Sequence, residues 1–139
     1  MSAPGGWERL CRLIDDDHEL VDAVSSAPEG ERWNVLIDGL DECGALAYLE
    51  SEDFGSELAD ALAGLPRAFA AGPDLTEVVD IDDLAEAVAS ADSILAPHGL
   101  RIVYLAEDDD AFPLVVVALA DAEAVVALAA ALGHEARVF

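Results

Sequence analysis

Carboxylates are the side chains with which this chain could do chemistry, and they come in groups. Glu107-Asp108-Asp109-Asp110 is an unbroken acidic run, and Asp15-Asp16-Asp17 stands beside His18. Asp80, Asp82, Asp83 and Glu86 crowd together, and Asp38, Asp41 and Glu42 are followed by Glu50, Glu52 and Asp53. Such groups have three uses: holding a divalent cation, acid–base catalysis, or meeting a basic surface.

Spacing argues against the first two uses. The calcium-loop pattern of alternating aspartates, a glycine and a later glutamate is absent. On a helix Asp15, Asp16 and Asp17 fan around the circumference and cannot converge on one ion. His18 continues the stripe of Trp7, Cys11 and Ile14 and reads as a boundary residue. Asp80, Asp82, Asp83 and Glu86 sit where a helix start favours acids through capping and the macrodipole. Paired carboxylates become an acid and a base only in a pocket that separates their pKa values, and no such pocket is legible. His98 and His134 have no nucleophile motif beside them, and P-loop, GxGxxG and HExxH patterns are absent. No catalytic, cofactor-binding or metal residue is assigned, which argues against an enzyme. A metal-dependent hydrolase built on the acidic clusters is the enzymatic alternative.

Contact with a basic partner remains. The chain carries 30 acids and six arginines without a lysine, a net charge of −24. It should be repelled by nucleic acid and anionic membranes and drawn to basic protein surfaces. The residues expected to meet such a partner are Glu107, Asp108, Asp109 and Asp110, crowning a hairpin, together with Asp41, Glu42, Glu50, Glu52 and Asp53. A plainer explanation competes: aspartate favours turns and guards sheet edges, and acidity can serve solubility alone.

The elements that must position these residues follow from hydrophobic periodicity. LRIVYLA (100–106) reads as a central strand apolar on both faces. PLVVVA (113–118) returns as a second strand, with Pro113 at its start or on an edge. DAEAVVALAAAL (121–132) is a helix capped by Asp121 and closed by Gly133, and EARVF (135–139) is a third strand. Upstream, Met1–Gly6 is a flexible start, and helices are expected over 7–24, from about 31 to Gly44, over 57–65 until Pro66, and over 82–96. Residues 45–49 lean toward a short strand, and 67–74 read as a loop. Trp7 and Trp33 lie on apolar helical faces and read as core.

The fold class is therefore α+β: a helical N-terminal half (7–98) packed on a small C-terminal mixed sheet of ββαβ order (99–139). With 139 residues and 54% hydrophobic content, one domain with a real core is expected. No secretory leader or membrane span is visible, and Cys11 and Cys43 lack CxxC spacing, which suits reduced thiols in a cytoplasmic protein.

WNVLIDGLDECGALAYLES (33–51), DIDDLAEAV (80–88) and FPLVVVALADAEAVVALAAALGHEARVF (112–139) resemble a family of small acidic bacterial proteins catalogued only as a domain of unknown function. The resemblance implies a bacterial cytosolic protein and transfers no catalytic residue. The reading that follows is a non-enzymatic acidic binding protein. Its concrete form is an immunity-type inhibitor, or a mimic of nucleic-acid charge, on a basic protein.

Overall fold

The computed structural model describes residues 5–14, 18–42, 44–50, 52–106 and 111–138. Met1–Pro4, Asp15–Asp17, Cys43, Ser51, Glu107–Asp110 and Phe139 lie outside them, and with them the expectations for those positions.

The stretch expected as one helix over 7–24 forms two, α1 (Gly5–Ile14) and α2 (His18–Ser26). The reason is a phase change in the apolar stripe. A continuous helix would put Val21 in line with Ile14, but Leu20 and Val24 are buried instead and Val21 only partly. Gly5 and Gly6 already belong to α1, so the expected flexible start does not extend to them.

A 3-10 turn over Glu29–Glu31 leads into α3 (Arg32–Glu42), which buries Trp33, Leu36, Ile37 and Leu40. Gly44 then adopts φ +75°, the left-handed conformation that ends helices, and Ala45 donates its N–H to Leu40 O at 2.8 Å. The ambiguous segment is a strand, β1 (Ala47–Glu50).

Next come α4 (Gly55–Ala63), α5 (Pro66–Ala71), α6 (Thr76–Val79) and α7 (Leu84–Leu95). The loop expected over 67–74 is a helix through Ala71. Pro66 starts α5 because proline at the first helical position loses no internal hydrogen bond. The C-terminal unit is β2 (Leu100–Leu105), β3 (Ala111–Ala118), α8 (Ala122–Ala131) and β4 (Ala136–Val138). Asp121 does stand at the N-cap of α8, but its side chain makes no capping hydrogen bond.

The strand order is β1-β3-β2-β4, and every neighbouring pair is antiparallel. A mixed sheet was the expectation. β3 and β4 do run in the same direction, but β2 is inserted between them, so no parallel ladder forms. β2 is interior and two-sided as expected: Leu100 and Ile102 face one core, Val103 and Leu105 the other. Pro113, expected at a strand's start or on an edge, is instead the third residue of the interior strand β3, paired with Tyr48 of β1, and the pairing of β3 with β2 starts at the next residue, Leu114.

Helices cover both faces. α1, α2, α3 and α8 bury Trp7, Leu10, Leu36, Ile37 and Val125 against Val103, Leu105, Val115 and Val117. α4 to α7 bury Leu58, Leu62, Val78, Val88 and Leu95 against Ile102, Leu114 and Val116. The helical half is thus divided by the sheet.

Both outer strands are short, and side chains finish the ladders they leave open. β1 pairs with β3 only up to Leu114; beyond it, Arg67 of α5 donates to Val116 O at 3.2 Å and also to Ile14 O at the end of α1. β4 pairs with β2 only from Val103; before it, Ile102 N–H donates to the buried carboxylate of Asp92 at 2.9 Å. Ile102 and Val116 face each other across β2 and β3, so their backbone groups point outward in opposite directions.

Candidate functional site

One end of the sheet carries the segments flanking 107–110. Glu50 pairs with Ala111, the residue after that run, and Leu105 pairs with Ala136 beside Glu135. Asp53 is held in a turn: its carboxylate accepts from Glu50 N–H at 2.8 Å, and its own N–H donates to Glu50 O at 3.0 Å. Glu50 and Glu52 are exposed. Trp33, at the start of α3, also belongs to this end, since its indole N–H donates to Ala106 O at 2.8 Å. Asp41 and Glu42 are exposed at the other end of α3, roughly 12 Å along its axis. The fold therefore gathers Glu50, Glu52 and Asp53 and leaves Asp41 and Glu42 apart; Glu107, Asp108, Asp109 and Asp110 lie outside the described residues.

A second acidic segment joins the first through Gly55. Its N–H donates to Ile81 O at 2.8 Å, and a Cβ at this position would lie 1.8 Å from Val78 O. Only glycine permits that approach. It brings 52–57 beside 77–83, a neighbourhood that the sequence reading missed by assigning Asp80, Asp82 and Asp83 to helix capping. Only Asp83 has that duty, accepting from Glu86 N–H at 3.2 Å. Glu57 accepts from Phe54 N–H at 2.9 Å and the Ser56 hydroxyl at 3.1 Å, and these bonds hold its carboxyl below the usual range. Glu52, Glu77, Asp80 and Asp82 are exposed, and their carboxylates bond to none of the described residues. Phe54 and Val79, each next to the Gly55 contact, are 53% and 45% exposed.

Behind this end lies an aromatic group. His134 stacks on Trp33 at 4.6 Å between centroids and meets Trp7 edge-on at 5.6 Å. Burial lowers its pKa below 6.5. Both tryptophans are buried, as their helical faces implied. On the opposite face Tyr104 packs against Phe112 at 5.5 Å, with the Arg137 guanidinium 6.0 Å from its ring.

Five of the six arginines are engaged within the fold. Arg12 pairs with Glu8, Arg101 with Asp92 and Arg137 with Glu135, while Arg32 and Arg67 hold backbone carbonyls. With 30 acids against six arginines, most carboxylates have no cation within the chain to meet. Among the described residues no three histidine, cysteine or acidic side chains gather as metal ligands, and no helix is long and apolar enough to cross a membrane.

Comparison with curated proteins finds no match, and comparison with solved structures finds none either. The family described as Domain of unknown function (DUF6630) matches residues 6–139, nearly the whole of the sequence, and the chain belongs to that family.

Proposed function

We propose that this chain is a cytoplasmic, non-enzymatic binding protein whose acidic surface engages a basic surface of another protein. The supporting observation is the imbalance at that surface: exposed carboxylates such as those of Glu52, Glu77, Asp80 and Asp82 bond to none of the described residues, while five of the six arginines are tied to the fold. Six arginines cannot neutralise 30 acids, so a cationic partner would gain from the excess directly. Field lines from such a surface speed encounter and set orientation, and a few apolar contacts then supply much of the affinity. An immunity-type protein that inhibits a basic enzyme by imitating nucleic-acid charge is the concrete form of this reading.

The test is capture of binding proteins from the native host, followed by kinetics on each. One stoichiometric basic partner, with association slowing steeply as salt rises, supports the reading. Weak and indiscriminate capture of basic proteins would leave acidity as a solubility device.

A further inference from the structure

Exposed apolar side chains scattered singly need no explanation, but a pair enclosed by uncommitted charge does. Phe54 and Val79 stand next in sequence to Gly55 and Val78, which meet in space, and the exposed Glu52, Glu77, Asp80 and Asp82 lie within three residues of one or the other along the chain. Phe69 is more exposed, at 78%, yet α5 (PRAFAA) offers no acid beside it.

We infer that this junction is the docking point for a cationic segment of the protein partner, in which one bulky apolar side chain is flanked by arginines or lysines. The inference rests on the binding-protein reading above and specifies where and how the partner is held. Charge complementarity selects the occupant. A small cation would satisfy the carboxylates and leave Phe54 and Val79 in water. An anionic membrane is repelled, and a second copy would bring the same acids against each other. An apolar anchor seated between Phe54 and Val79, with its cationic neighbours over the acids, satisfies both parts. It reproduces the usual division of a protein interface into a water-excluding centre and a polar rim.

The backbone makes the site firm. The Gly55 N–H to Ile81 O bond fixes the two segments to each other, and the capping bonds of Glu57 and Asp83 fix the ends of α4 and α7 on either side. A preformed site loses less entropy on binding than a loop that must be ordered.

The experiment uses the full chain and two synthetic arginine-rich peptides, one with a central leucine and one with serine in its place. Fluorescence anisotropy measures their affinities across a salt series. The leucine peptide should bind about tenfold tighter than the serine peptide, the size expected for burying one such side chain. In Phe54→Ser/Val79→Ser that ratio should vanish while salt dependence persists. In Glu52→Gln/Asp80→Asn/Asp82→Asn both peptides should weaken and the salt dependence flatten, with the ratio kept. Equal binding of the two peptides to the wild type, or a ratio unaffected by Phe54→Ser/Val79→Ser, overturns the docking point and leaves the broader reading standing. Self-association of the wild type, abolished by Phe54→Ser/Val79→Ser in sedimentation, would assign the patch to a second copy and also overturn it. Absence of salt-dependent binding by either peptide would remove the charge-based reading along with the site.

Discussion

Asp92 and Arg67 do at single positions what longer outer strands would do, and each can be tested alone. Asp92→Ala leaves Ile102 N–H buried without an acceptor, which should cost about 1–3 kcal/mol. Asp92→Asn keeps an acceptor and should cost less. Denaturant midpoints decide; equal stability of the wild type and Asp92→Ala would show that the bond contributes nothing. Cys11 is fully buried, and burial pushes its thiol up to about 12, so thiol reagents at neutral pH should reach it only on unfolding. His134 gives a pH effect of defined sign. Its folded pKa lies below 6.5, so the unfolded chain takes up its proton more readily. The stability it contributes is present above 6.5 and is lost as pH falls through the folded value. Titration of the His134 ring by NMR should give a midpoint below 6.5; a midpoint above it would mean that neighbouring acids outweigh burial.

At the level of elements, the close pass of α4 over the α6–α7 link depends on Gly55. Gly55→Ala forces a methyl against Val78 O, and overpacking of this kind costs about 1–3 kcal/mol. Phe54→Ser should behave differently. Residue 54 is the N-cap of α4 with an extended backbone, and Glu57 already accepts its N–H. Serine would complete a capping box and is expected to raise stability by about 0.5–1 kcal/mol, less whatever Phe54 gains from packing. A lower melting temperature for Phe54→Ser would show that the ring, not the cap, holds this end of α4.

The same elements show why some of the fold could be read in advance. Leu100–Leu105 alternates between two apolar faces, and its central, two-sided position followed from that alone. The separation of α1 from α2 was missed because the expected stripe ran through Val21, whereas Leu20 is the residue buried. α5 was hidden because proline starts helices as well as stopping them. The grouping of 52–57 with 77–83 depends on a tertiary approach at Gly55. No local pattern encodes it, so Glu52 and Asp53 were assigned to a partner surface and Asp80, Asp82 and Asp83 to a helix start, with nothing to join the two segments.

For the whole molecule, charge sets the behaviour. Two cores on either side of one sheet hold together a chain of net charge −24, whose self-repulsion any electrolyte will screen. Melts with a chelator and with added calcium or magnesium should differ only as ionic strength dictates. A saturable rise with one ion would instead point to a metal site and to the hydrolase alternative.

The most direct test of the central claim is the association rate of the cognate partner, captured from the host, as a function of ionic strength. It should be measured on the wild type and on Glu52→Gln/Asp80→Asn/Asp82→Asn. A steep fall with salt for the wild type, and a slower, flatter dependence for the variant at unchanged stability, is the predicted result. Rates that ignore both salt and the three substitutions would contradict it.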